Sequence, residues 1–279
     1  MSPKFESLSQ KNTSILTQNQ NFKHTLIYLC GMSEQNFIIY GRHPVVDAIK
    51  AGKPFEKVML LQGTTGETEI ELRKLTKEYD IPLSMVPKEK LNKMAAKGAI
   101  HQGVIGFLSM IEYQSLENIL PHIFEKGEIP LLLLLDSITD VRNFGAIARS
   151  AEVMGVHAIV VPQKGGALIN ADAMKSSAGA LSKIPVCREK TMSGVLDYLG
   201  SSGVRVVSSD LKAEKQLFEI DFTIPTAILI GSEGEGVNAN FIRRSDETFK
   251  IPQIGTTDSL NVSVATGIIL YEVVKQRMA

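Results

Sequence analysis

The 279-residue chain has no tryptophan, only two cysteines and no excess charge of either sign, and each shortage excludes something. Cys30 and Cys187 lie far apart with no CxxC pair. A disulfide framework and a thiolate metal site are excluded, and a reducing, cytoplasmic compartment is expected. Thirty Lys and Arg balance thirty Asp and Glu. No global field therefore draws nucleic acid or a membrane surface, and any anionic partner must meet a local patch. No apolar run approaches the roughly 20 residues that span a bilayer, and Thr25 to Cys30 is too short for a signal-peptide core. The five histidines (His24, His43, His101, His122, His157) show no metal-ligand spacing, and neither HExxH nor GxSxG occurs. GxxxxGK[ST] and GxGxxG are also missing, which removes the common phosphate cradles. Metal, serine-hydrolase and nucleotide-phosphate chemistry fall away.

What is present suits two domains of α/β type. Residues 1–35, rich in Ser, Asn, Gln, Thr and Lys, are expected to be a disordered extension, with Met32 a candidate true start. Residues 36–110 read as a small α/β domain: helices near Val45 to Ile49, Glu67 to Tyr79 and Lys88 to Ala96 alternate with strands Val58 to Leu61, Leu83 to Val86 and Gly103 to Leu108. Residues 111–129 read as a linker with one helix, Leu116 to Phe124. Residues 130–279 read as a parallel sheet. Its strands are Leu131 to Leu135, His157 to Val161, Pro185 to Cys187, Val204 to Ser208 and Ala227 to Ile230. Helices are expected at Gly145 to Met154, Leu168 to Leu181, Thr191 to Leu199 with Thr191 as cap, and from Val262 onward. That last helix is almost wholly apolar, so most of its circumference must be covered by protein, while Lys275 and Arg277 suit its C-terminal end.

Three stretches carry chemistry. The first is the loop and helix start from Asp140 to Arg149, directly after the leucine strand, on the edge where open α/β sheets bind ligands. Arg149 has two readings there, an ion pair with Glu152 or Glu233 or a functional role, and Asn143 reads as a helix cap or a ligand. The second is the loop Gly231-Ser232-Glu233-Gly234-Glu235-Gly236, whose glycines let backbone approach a ligand and whose glutamates repel phosphate. The third is Ile251-Pro252 followed by Ser259-Leu260-Asn261-Val262-Ser263-Val264-Ala265, small polar groups at a loop-to-helix junction. Separately, Lys88, Lys90, Lys93 and Lys97 cluster on or near one helix, with Arg42, His43 and His101 at nearby turns. The cluster reads as a solvated face or as an RNA backbone contact.

In that order the three stretches resemble the motifs of the SpoU (TrmH-type) RNA 2'-O-ribose methyltransferases of the SPOUT superfamily. Tyr40-Gly41 and His101-Gln102-Gly103 are similar to that family's N-terminal substrate-binding domain, and the RlmB-type 23S rRNA guanosine methyltransferases are the nearest branch by resemblance. The resemblance implies a C-terminal SPOUT domain with a trefoil knot, S-adenosylmethionine as cofactor, no metal, no membrane, and a homodimer that builds each active site from both subunits. It assigns Leu229, Gly231, Gly236, Ile251 and Leu260 to the cofactor, and Arg149, Glu233, Ser259 and Asn261 to catalysis with Asn143 shaping the first loop. Arg42, His43, Lys88, Lys90, Lys93, Lys97 and His101 are the RNA-binding candidates. Val141 and Ser232 stand where many relatives carry proline and alanine. A guanidinium is a poor base, so Arg149 is expected to bind a neighbouring phosphate and stabilise a developing alkoxide. The competing readings are a tRNA target, a non-catalytic RNA-binding or ribosome-assembly protein of the same fold, and a metabolic nucleotide enzyme.

Overall fold

Two sheets organise the computed structural model, which describes residues 37–279; the expected disorder of 1–35 and the Met32 start lie outside the described residues. The first sheet has β1 (Ile38–Tyr40), β2 (Phe55–Leu61), β3 (Leu83–Val86) and β4 (Val104–Leu108), in the order β1-β4-β2-β3. Alternation along β2 divides its two cores. Val58 and Leu60 pack with Val45 and Ile49 of α1 (Arg42–Lys50) and Leu72 of α2 (Glu67–Glu78). Met59 faces the other way, against Leu91 of α3 (Lys88–Met94).

The second sheet comprises β5 (Leu131–Leu135), β6 (Ala158–Pro162), β7 (Val186–Glu189), β8 (Arg205–Ser209), β9 (Thr226–Ile230) and β10 (Glu247–Phe249). All pairings are parallel and the order is β10-β8-β9-β5-β6-β7. Both faces are covered, which is why β5 can consist of five leucines, all buried. Leu131, Leu133 and Leu135 meet the face carrying α5 (Val141–Val153), α6 (Ala171–Ser176) and α9 (Val262–Met278). Leu132 and Leu134 meet the face carrying α4 (Leu116–Glu125) and α7 (Met192–Ser201). The chain runs from β5 outward through β6 and β7, then crosses back to β8 on the far side of β9. The sheet therefore changes direction between β5 and β9, where a crevice opens at the strand ends.

Several local expectations are corrected. The helix after β5 starts at Val141 rather than Gly145, because Asp140 accepts the Arg142 and Asn143 N–H groups at 2.9 and 2.7 Å. Asn143 is thus inside the helix and is not its cap. The helix expected across Leu168 to Leu181 is broken into α6 and a short 3-10 turn, Ala180–Ser182, by positive φ at Ala178 and Gly179. Short polar β10 and the four-residue α8 (Ala239–Ile242) carried no periodic signal. β10 is held instead by pairing with β8 and by Phe249, fully buried edge-on to Phe222.

The final helix is covered along one stripe only. Val262, Thr266, Ile269, Leu270 and Val273 are buried, but Val264, Ile268 and Tyr271 are 51%, 38% and 62% exposed in the single chain. Arg277 does more than complement the helix end: its guanidinium donates to the Phe222, Ile129, Pro130 and Ile224 carbonyls at 2.8 to 3.2 Å. Among the described residues, no helix is long and apolar enough to cross a membrane. Cys187 is buried in β7, where burial pushes its thiol up to about 12, so no thiolate is available at neutral pH.

The stretch 111–129, expected as a linker, is packed. Gln114 bonds to β7 on both sides, N–H to Val186 O and O from Arg188 N, and α4 lies under the second sheet. Here the two sheets are joined. Arg188 sits 4.1 Å over the Tyr113 ring and donates to the Phe55 and Glu56 carbonyls, while the Tyr113 hydroxyl donates to Glu56 Oε2 at 2.6 Å. Burial raises the Glu56 carboxyl above the ordinary glutamate range, offset in part by the Tyr113 hydrogen bond and the Arg188 charge. The folded state then holds a proton that the unfolded chain has released. Stability must fall as pH rises from the ordinary glutamate range through the raised folded value. Glu56→Gln keeps an acceptor for Tyr113 and removes the titration, so between about pH 4 and pH 8 the urea midpoint of the variant should rise relative to that of the parent protein as the pH increases. An identical profile would assign the slope to other groups.

Candidate active site

The crevice at the ends of β5 and β9 is shaped by a backbone fold-back. A Cβ at Gly231 would lie 1.9 Å from the Gly236 carbonyl carbon and 2.1 Å from the Val237 nitrogen, so only glycine fits. Gly236, at φ +71°, turns the chain and donates its N–H to Ser232 O at 2.9 Å. Just beyond the loop, the Asn238 N–H donates to Asp136 Oδ2 at 2.9 Å, tying it to the end of β5.

A cavity of about 720 Å³ lies behind this loop, lined by Gly231, Gly236, Ile251, Ser259 and Leu260 among others. Its size falls in the range of small-molecule sites, about 300–1,000 Å³. Leu229, also expected there, does not line it: its side chain packs with Leu132, Leu134 and Leu199 on the opposite side of the sheet. Asp136, Ser137, Lys212 and Arg243 do line it and went unrecognised in the sequence. For Asp136 the signal was a carboxylate directly after a five-leucine strand.

Three catalytic candidates converge from distant segments at the loop's edge. Asn261 Nδ2 donates to Asn143 Oδ1 and to Glu233 Oε2, both at 3.1 Å, and Asn143 Nδ2 donates to the same glutamate oxygen at 3.4 Å. Asn261 is also the N-cap of α9, its Oδ1 accepting from Ser263 N at 3.0 Å and Ser263 Oγ at 2.6 Å. One short side chain therefore starts the last helix and positions the glycine-loop glutamate.

Arg149 stands apart. It is exposed on α5 and forms no ion pair with Glu152, which binds Lys183, or with Glu233. It lies six residues beyond Asn143, about 9 Å along the helix, and does not line the cavity. Both the packed environment and the ion pair expected for it are absent among the described residues.

On the first sheet, Lys88, Lys90, Lys93, Lys97 and His43 are exposed. Asn92 Oδ1 on α3 accepts from His101 Nε2 at 2.9 Å, His101 Nδ1 accepts from Gly103 N at 3.0 Å, and Arg42 Nε donates to Gln102 O at 3.2 Å. These bonds join α3, the 95–103 loop and the start of α1 into one surface. They also engage both ring nitrogens of His101.

Comparison with known proteins bears on this geometry. A family model described as the SpoU rRNA Methylase family matches residues 130–271, and one described as RNA 2'-O ribose methyltransferase substrate binding matches residues 38–114. The chain is 32% identical over 246 residues to the putative TrmH family tRNA/rRNA methyltransferase YacO of Bacillus subtilis, covering 88% of this chain and 98% of YacO. The solved SpoU methyltransferase AviRb from Streptomyces viridochromogenes, in complex with AdoMet, aligns with a TM-score of 0.56 at 25% identity over 92% of this chain and 98% of its own. An A. aeolicus TrmH/SpoU tRNA modifying enzyme aligns with a TM-score of 0.50 at 31% identity, over 58% of this chain and 84% of its own.

The double duty of Asn261 has a measurable cost. Asn261→Ala removes a helix cap and the side-chain donor that meets both Asn143 Oδ1 and Glu233 Oε2, so denaturant unfolding should show a loss of about 1 kcal/mol. Glu233→Gln, which leaves the cap in place, should stay within about 0.5 kcal/mol of the parent.

Proposed function

We propose that this chain, which belongs to the SpoU rRNA methylase family of RNA methyltransferases, uses S-adenosylmethionine to methylate the ribose 2'-hydroxyl of a guanosine in 23S rRNA. The observation that carries the reading is the convergence of Asn143, Glu233 and Asn261 at the edge of the cavity that Gly231 and Gly236 shape. The residues present fit the cofactor. Ile251 and Leu260 offer apolar walls, backbone at 231–237 offers hydrogen-bonding groups without side-chain obstruction, and the glutamates of the loop suit a cationic ligand that has no phosphate. When bound, S-adenosylmethionine supplies an electrophilic methyl group.

Everything else falls to the chain. A ribose hydroxyl must lose its proton as it attacks, and the network around Glu233 is placed to orient it. Ser259 adds a hydroxyl at the cavity wall. Arg149 is assigned to the substrate phosphate, which its planar fork can hold bidentately while its charge stabilises the forming alkoxide. In one chain Arg149 lies away from the cavity, and this joins the catalytic reading to a homodimer. The exposed stripe Val264, Ile268 and Tyr271 runs along α9, which packs on the helix carrying Arg149, with Gly267 close to Ser150. Burying that stripe against a second copy brings Arg149 into a shared site. The trefoil knot belongs to the same reading, supported by the close backbone crossing at Gly231 and Gly236. The surface formed by α3, the 95–103 loop and the start of α1, with Arg42, His43 and the four lysines, is the proposed RNA contact.

A tRNA target is the second reading, because the matched relatives carry tRNA as well as rRNA in their names. Labelled methyl transfer to unmodified 23S rRNA, 16S rRNA and tRNA separates them. Label should appear as 2'-O-methylguanosine from 23S rRNA alone; label in tRNA overturns the target, and no label in any of them overturns the reaction as drawn for free RNA. In the same assay Arg149→Lys should lower kcat at least about tenfold, whereas near-native turnover would remove the bidentate role.

A further inference from the structure

Six charged residues, Asp210, Lys212, Glu233, Glu235, Arg243 and Lys250, stand at the open rim of the cavity, where water reaches them. Asp136 does not. It is 7% exposed, directly follows β5 and lines the cavity wall. Its Oδ2 accepts the Asn238 N–H at 2.9 Å and its Oδ1 accepts the Ser137 hydroxyl at 3.0 Å. Two donors and no acceptor suit the ionised carboxylate, which can only accept. Ser137 adopts φ +59°, a conformation uncommon outside glycine, and in it makes the bond that holds the carboxylate. Among the described residues, no Lys, Arg or His lies within ion-pair distance of Asp136. The chain itself gives this carboxylate two hydrogen bonds and no counter-charge, and the cavity it lines is where a cation can reach it.

We infer that Asp136 is the counter-charge for the cationic centre of the bound cofactor, so that the cavity distinguishes S-adenosylmethionine, a sulfonium, from S-adenosylhomocysteine, a neutral thioether. The inference rests on the cofactor reading above and deepens it. The two ligands differ by one methyl group and one positive charge at sulfur. A fixed carboxylate in the cavity wall favours the charged one and gives the neutral product less to hold it. Its proximity to low-dielectric packing makes this charge count for more than the screened glutamates at the rim.

Asp136 also anchors the glycine loop through Asn238, so the test must separate charge from scaffolding. Asp136→Asn keeps an oxygen acceptor for the Asn238 N–H and removes the charge. Calorimetric titration of the full-length parent and variant with each ligand should show S-adenosylmethionine weakened about tenfold and S-adenosylhomocysteine by less than about twofold. Equal weakening of both would reduce Asp136 to a loop anchor and overturn the inference. Failure of the parent protein to bind either ligand would overturn the cofactor reading beneath it, and the inference with it. Should the variant not fold, the parent protein still decides the matter. The nitrogen analogue of S-adenosylmethionine, with a tertiary amine at the sulfur position, should bind more tightly as the pH falls and that amine protonates, with S-adenosylhomocysteine at the same pH values as the reference for the rim groups. An affinity ratio that does not move with pH would sink the idea.

Discussion

The backbone at Gly231 approaches Gly236 and Val237 so closely that even a single methyl group would overlap the carbonyl carbon at 1.9 Å. No rotamer relieves such an overlap, since the atoms met are main chain. Glycine at 231 is therefore a geometric requirement, and much of the site follows from it. The fold-back places Glu233 at the outer edge of the loop, beside Asn143 and Asn261. It leaves the inner side of the loop as bare backbone facing the cavity. Within the loop, Ser232 accepts the Gly236 N–H at its carbonyl and the Glu235 N–H at its hydroxyl, and Asp136 accepts the Asn238 N–H just beyond, so the shape of the crossing is set by β5 and β9 together. Those two strands are paired along their full five-residue length in the centre of the sheet, the stiffest place available for it.

The central strands β5, β6 and β9 were legible because each is a short, mostly apolar run between turn signals, and a parallel sheet covered on both faces demands that composition. Helices with one apolar face were legible for the same reason. The misses have a common cause, namely that the deciding contact lies elsewhere in the chain. β10 has three residues of ordinary polarity and exists by pairing with β8. The break at Ala178 and Gly179 sits inside a stretch of small residues that reads as helix throughout, and nothing local announces positive φ at an alanine.

The site was legible to a different degree at each position. Glycines and small polar residues in three ordered stretches pointed to a ligand, and the hydrogen bonds among Asn143, Glu233 and Asn261 place those stretches together. Spacing could not reveal that Leu229 faces away from the cavity. Alternation along β9 sends Ile228 and Ile230 to one face and Leu229 to the other, and which face meets the cavity depends on how the sheet is covered. Arg149 misled for a related reason. Its neighbours in sequence are small and apolar, but at 3.6 residues per turn the same helix buries Phe144, Ile147, Ala148 and Ala151 on one side and turns Arg149 outward.

A chain with balanced charge can still meet a polyanion if its cations are concentrated on one element and held at a defined distance from the chemistry. The first condition is satisfied by α3 and the loop joined to it through Asn92, His101 and Arg42. The second depends on the junction between the sheets. Arg188 crosses from β7 to the Phe55 and Glu56 carbonyls of β2, Tyr113 bonds Glu56, and Gln163, from the loop after β6, reaches the Asp80 carbonyl and carboxylate at 3.3 Å. These contacts come from neighbouring strands of one sheet and reach separate points of the other, so they restrict rotation as well as separation. The Arg188 and Glu56 side chains at this junction are 12% and 9% exposed, so solvent screens their contacts little. The lysine surface is therefore held in a fixed relation to the cavity. Under the proposed function, a phosphate backbone bound on α3 presents a ribose whose position is set by the length of RNA between the two surfaces, and selection of the target nucleotide becomes a matter of RNA shape as much as of base identity.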